Sequence, residues 1–177
     1  IPFLFPLLLV ERWWHTHTPL FRRWISDAAG PWPAFRPEDW DLEARMGALR
    51  PRLIHCGTEV SIQVDHVSEN RVTCGPTVEA LRDQAIFLPR LAAAAVLADV
   101  RWDAPQWRRF SDECFVAARQ LHQLGEIAGG DRLLRLAAFC CADHSPLVSP
   151  YRQLTRLFGS RRGSRLAELV RTGRWPR

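Results

Sequence analysis

Residues 77–98 read TVEALRDQAIFLPRLAAAAVLA, and this stretch decides the fold class. Thr77 follows Gly75-Pro76 and places a hydroxyl where a helix needs an acceptor for its first free N–H groups. Val78, Leu81, Ala85, Leu88, Ala92, Ala95 and Val96 recur at three- and four-residue steps, which puts them on one side of a helix. Pro89 removes one backbone donor and predicts a kink. Leu91–Ala98 is apolar nearly all round, the pattern of a central, buried helix.

Downstream the same periodicity continues. Asp103-Ala104-Pro105 predicts a new helix, with Asp103 as N-cap and an early proline. Trp107, Phe110, Cys114, Ala117, Leu121 and Leu124 step down one face, and Gly129-Gly130 is expected to stop it. Asp131 is expected to start another helix, with Leu133, Leu134, Leu136, Ala137, Cys140 and Cys141 apolar on most sides. Ser149-Pro150 opens a short helix carrying Leu154, Leu157 and Phe158. A turn over Gly159–Gly163 leads into a second, lined by Leu166, Leu169 and Val170 until Gly173, so the chain closes on an αα-hairpin. No self-similarity at a fixed period supports a repeat array.

Upstream the reading changes character. A helix is expected from Asp39 or Asp41, with Leu42, Met46, Leu49 and Leu53 on one face and a kink at Pro51. Over 58–74, Val60, Ile62 and Val64 alternate with Ser61, Gln63 and Asp65 ahead of a turn at Ser68-Glu69-Asn70. A short β-hairpin is the preferred reading there, although Leu53, Val60, Val64 and Val67 also sit at helical spacing. Residues 19–40 are broken by Pro19, Gly30, Pro31, Pro33 and Pro37 and punctuated by Trp24, Trp32, Phe35 and Trp40, which predicts an extended arm lying across another surface. Ile1–Val10 holds eight apolar residues and two prolines, followed by Trp13 and Trp14. As a helix it would reach about 15 Å, half of a bilayer core of roughly 30 Å. An apolar stub ended by indoles suits a membrane interface or a partner's groove; packing on its own domain is the alternative. Phe3, Phe5, Trp13, Trp14, Trp24 and Trp32 are therefore the expected partner or membrane contacts, and removal of Ile1–Trp14 is expected to leave the body folded. The expected fold is mainly α: a compact helical body of antiparallel helices and helical hairpins, with a short β-hairpin at 58–74 and an extended Pro/Trp-rich N-terminal arm. The expected organisation is a stub and arm over 1–40 and a single helical domain over 41–177.

Composition narrows the function. Eight Trp and nine Phe in 177 residues exclude a wholly disordered chain. No apolar run approaches the roughly 20 residues of a spanning helix, which excludes a polytopic membrane protein. All 24 basic residues are arginine, and formal net charge is +5. Residues 1–50 are balanced, 51–100 carry −2 and 101–177 carry +7, all of it from eight arginines against Glu168 in 145–177. A basic segment this local points to an anionic partner: nucleic acid, acidic lipid or an acidic protein surface. Arg152 and Arg156 lie four apart on one helix face, and Arg161, Arg162 and Arg165 form a compact cationic turn. Tyr151 is the only tyrosine and exposed-looking aromatics are few, so backbone or lipid phosphate fits better than base readout.

Sites of chemistry are harder to find. Five cysteines, an odd number with no CxxC, argue against a disulfide framework or a zinc finger and for reduced, buried thiols. His15-x-His17 lacks a third ligand nearby, and Cys140-Cys141-x-Asp143-His144 has no structural zinc spacing. His55-Cys56 and Asp65-His66 are neighbours in sequence, which says little about a nucleophile and base in space. Walker, GxGxxG, GxSxG and HExxH patterns are missing. No catalytic, metal or cofactor residue is therefore assigned, and no cofactor is expected. The expectation is a non-catalytic accessory subunit that binds neighbouring protein subunits through its arm and basic hairpin. The arginine excess, the start at Ile1 and the apolar opening suggest a mitochondrial membrane complex of the respiratory-chain or ATP-synthase type. A peripheral ribosomal subunit gripping phosphates is the second expectation and an enzyme without a recognisable motif the third. A bacterial cytoplasmic setting would give the same composition.

Overall fold

The computed structural model of the chain describes residues 2–12, 18–58, 62, 77–141 and 148–172. Among them run a 3-10 turn at Leu7–Leu9 and seven α-helices: α1 (Arg23–Ala29), α2 (Glu38–Ala48), α3 (Val78–Leu97), α4 (Pro105–Leu124), α5 (Ile127–Cys140), α6 (Val148–Phe158) and α7 (Ser160–Thr172). No strand occurs among the described residues. The fold is mainly α, as the spacing predicts; the hairpin expected over 58–74 lies outside the described residues apart from Thr58 and Ile62.

Helix α3 is the hub. The Thr77 hydroxyl accepts from the Ala80 N–H at 3.1 Å, which satisfies one of the free donors of its first turn. Leu81, Ala85, Leu88, Leu91 and Ala95 are buried, and the helix packs on α2, α4, α5 and the 3-10 turn. Its last turn emerges from the body, where Val96 and Leu97 are exposed, so the apolar run is central only as far as Ala95.

Two helix boundaries differ from expectation. Gly125, at φ +86°, stops α4 in the left-handed conformation that glycine adopts most easily. Helix α5 begins two residues later and continues through Gly129-Gly130 rather than starting at Asp131. Both glycines serve packing: a Cβ on Gly129 would press on Ala85 and Leu121, and one on Gly130 would overlap the His122 ring. At the start of α4, Pro105 occupies the first turn as expected, but Ala104 is the N-cap and Asp103 pairs with Arg101 at 2.8 Å instead. Helix α2 ends at Ala48 and does not reach Leu53. Pro51 disfavours helical geometry in the residue before it, and Arg50 takes φ +53°.

The opening segment is part of the body. Leu4, Phe5, Leu8 and Leu9 are buried in the main cluster with Leu88, Leu91, Phe110 and Leu121. Gly47 admits this: a Cβ there would stand 2.9 Å from the Phe5 ring. The Leu53 N–H donates to the Pro2 carbonyl at 2.8 Å, and the Trp40 indole N–H to the Leu8 carbonyl at 2.9 Å. Four large apolar side chains gain more from the core than from solvent, which overturns the expectation of a detached stub. The arm over 19–40 is likewise not extended throughout. It contains α1, whose Ile25 and Ala29 form a small second cluster with Leu42 and Met46 of α2.

Charge fastens these pieces. Asp41 is 1% exposed and holds both Arg45 (2.9 Å) and Arg90 (2.5 Å). Arg45 also donates to the carbonyls of Ala29 and Pro31, closing the end of α1 onto α2. Arg12 reaches Asp39 and the buried Glu43, both at 2.5 Å. Buried carboxylates are tolerated because each has a cation in hydrogen-bond contact.

Candidate functional site

The αα-hairpin at the end of the described chain forms as expected but is built differently. Val148, Tyr151 and Thr155 are the buried side of α6. Gly159, at φ +78°, is the whole connection to α7. Gly163 belongs to α7 and not to the turn; with no side chain, it lets the two backbones close, since a Cβ would meet Thr155 Cα and the Leu154 carbonyl at 2.8 Å. The side chains expected to pack the pair do not do so equally. Leu154, Leu166 and Leu169 are half-buried, whereas Leu157 is 77% and Phe158 50% exposed.

The predicted arginines sit around that turn. Arg152, Arg156, Arg161 and Arg162 are exposed and Arg165 is half-buried. Among the described residues none of the five pairs with a carboxylate. In the body, Arg12, Arg45, Arg50, Arg82, Arg90, Arg101 and Arg119 each meet an acid, while Arg22, Arg52, Arg108, Arg109, Arg132 and Arg135 are exposed with no carboxylate partner among the described residues. Glu168, the one acid of α6 and α7, is turned inward to Arg119 of α4. The hairpin therefore carries cationic charge that no carboxylate among the described residues compensates.

A buried polar knot holds the hairpin in place. His122 of α4 is fully buried; its Nδ1 lies 3.0 Å from the Tyr151 hydroxyl and its Nε2 3.0 Å from Asp131 Oδ1. A carboxylate only accepts, so Nε2 carries the proton and Nδ1 accepts from Tyr151. Ser160, the first residue of α7, donates to the same Asp131 oxygen at 2.9 Å. Four helices thus meet at one imidazole. Burial pushes the His122 pKa down, partly opposed by Asp131, and pushes the Tyr151 pKa up. Both ring nitrogens are engaged and the ring is enclosed, so this histidine acts as a tie and not as an acid–base group for a substrate. The sequence reading missed it. The available signal was its phase: His122 stands four residues after Ala118 and eight after Cys114, on the buried stripe of α4.

The N-terminal contacts divide. Phe5 is buried and is withdrawn as a partner contact. Phe3 is 39% exposed beneath the Arg50 guanidinium, 6.0 Å from its centroid. Trp24 and Trp32 are more than half exposed, and so is Leu20. Trp13, Trp14, His15 and His17 lie outside the described residues, as do Asp143 and His144. A cavity of about 260 Å³ lies beside Phe3, Pro6, Arg50 and Arg101. Its two cations already face Asp99 and Asp103, which leaves no net charge for an anionic ligand.

The described cysteines are free thiols. Cys114 and Cys140 are buried, and burial raises both pKa values, that of Cys140 to about 12. Among the described residues no group of three or more His, Cys, Asp or Glu side chains could hold a metal ion, and no helix is long and apolar enough to cross a membrane. Comparison with protein-family models, with curated proteins and with solved structures returned no match.

Proposed function

We propose that the chain is a non-catalytic accessory subunit that docks onto an anionic surface of a larger assembly through the α6–α7 hairpin. The observation that carries this reading is the concentration of unpaired arginines on the α6–α7 hairpin. Arg152, Arg156, Arg161, Arg162 and Arg165 fall within fourteen residues of two adjoining helices and have no carboxylate partner among the described residues, whereas the unpaired arginines of the body, Arg22, Arg52, Arg108, Arg109, Arg132 and Arg135, are spread over the rest of the chain. Unpaired arginines present forked donors that match phosphate and carboxylate oxygens. The exposed Trp24 and Trp32 offer a second, apolar contact for a neighbouring subunit. The mitochondrial membrane setting expected from the sequence loses one support, because the apolar opening that suggested it lies in the core.

The test separates binding from stability. Arg161→Gln, Arg162→Gln and Arg165→Gln are combined, and the protein is passed over immobilised heparin while its thermal midpoint is followed. Arg161 and Arg162 are exposed, and the half-buried Arg165 has no carboxylate partner among the described residues; surface charges contribute roughly 0–1 kcal/mol each to folding, so the midpoint should change little. Retention should fall clearly, most at low salt. A variant that unfolds as readily as a core-truncated one would show that the arginines are structural, and the docking role would be abandoned.

A further inference from the structure

We propose that the α6–α7 turn is a bilayer-docking tip, whose Leu157 and Phe158 enter the acyl boundary while the surrounding arginines hold anionic lipid headgroups. This rests on the anionic-contact reading above and names its partner. Two large apolar side chains stand exposed at the end of α6, immediately before the one-residue turn. Arg156 precedes them, and Arg161 and Arg162 follow within four residues. Leu157 lies on the side of α6 opposite Val148, Tyr151 and Thr155, so no packing within the described chain accounts for its position.

Charge complementarity selects an anionic surface, and the Leu-Phe pair selects its kind. A phosphate backbone offers no apolar layer for a leucine at the same depth as its anions. A bilayer does, since headgroup phosphates lie over an acyl boundary that amphipathic helices enter by about 5–10 Å. Base stacking is poorly served: Tyr151 is 3% exposed and bound to His122, which leaves Phe158 as the turn's one exposed ring. Headgroups diffuse laterally and gather around arginines spread over two helices without a prior match of shape. The tip is also held ready. Ser160 is tied to Asp131 and through it to His122 and Tyr151, and Gly163 keeps the helices close, so little ordering is left for the moment of binding.

The experiment is vesicle flotation of the whole protein. Phosphatidylcholine vesicles are compared with vesicles in which about one-third of the lipid is phosphatidylserine. The protein is expected to float with the mixed vesicles and not with phosphatidylcholine alone. Replacing Arg161 and Arg162 by Gln should lower partitioning roughly fivefold per charge removed. Leu157→Ser with Phe158→Ser should lower it at least about tenfold while leaving the circular-dichroism melt in place, as does Leu157→Ser alone to a smaller degree. If the double Ser variant floats as well as the parent, the apolar pair does not insert and the proposal fails. If the protein ignores both vesicles but shifts a short RNA duplex, the anionic reading stands and the bilayer is the wrong partner. If it binds neither vesicles, RNA nor heparin, both readings fall together.

Discussion

A methyl group at position 130 would overlap the His122 ring, so the absence of a side chain there sets where the histidine lies. Gly130→Ala is expected to destabilise the protein by about 1–3 kcal/mol, the range for overpacking, although alanine has the better helix propensity. Urea unfolding checks this through a lower midpoint. The same ring makes stability depend on pH. Its folded pKa is depressed below the ordinary 6.5, so between those two values the unfolded chain binds a proton that the folded one does not. Stability is therefore full above pH 6.5 and declines as pH falls towards the depressed value, because the unfolded state is then favoured by proton uptake. Urea midpoints measured from about pH 7.5 down to about pH 5 should show this decline, and His122→Gln should flatten it. A parent protein whose midpoint is constant over that window would mean that the folded histidine titrates normally.

At the scale of elements, α6 and α4 offer a direct comparison of two leucines. Leu121 is fully buried in the main cluster and Leu157 is 77% exposed. Leu121→Ala should cost about 2–5 kcal/mol and Leu157→Ala no more than about 0.5 kcal/mol, read from thermal melts of the two variants. Periodicity alone placed Leu157 in the hairpin core, because it records spacing within one helix and not which side the neighbouring helix takes. The same limit explains Gly129-Gly130. Two adjacent glycines signal a stop unless a neighbour needs the space, and that neighbour, His122, lies on another helix. Where local chemistry dominates, the sequence was readable: the Thr77 cap, Pro105 in the first turn of α4 and the overall helical class all follow from contacts within a few residues. The arginines of the hairpin were legible as charge. That none of them pairs with an acid among the described residues was not, since pairing at Arg90–Asp41 or Arg82–Glu126 joins residues more than forty apart.

Across the whole molecule, the first ten residues and α4 share one core, with α3 between them in sequence. Deleting residues 1–10 would strip out Leu4, Phe5, Leu8 and Leu9, each worth about 1.5–3 kcal/mol when buried. The total is comparable with the 5–15 kcal/mol net stability of an ordinary domain. The truncated chain should therefore unfold or bind a hydrophobic dye at room temperature, where sequence reasoning alone expects a folded body. A sharp, cooperative melt near that of the full chain would contradict the placement of the segment in the core. The same arrangement bears on how the protein is made. Synthesis runs from the first residue onward at about 5–20 residues per second. Leu8 and Leu9 are made before α2 and α3, and the surface that receives them is complete only once Phe110 and Leu121 of α4 have followed, an interval on the order of ten seconds. Leu4, Phe5, Leu8 and Leu9 therefore stay without their full packing partners until α4 has been translated.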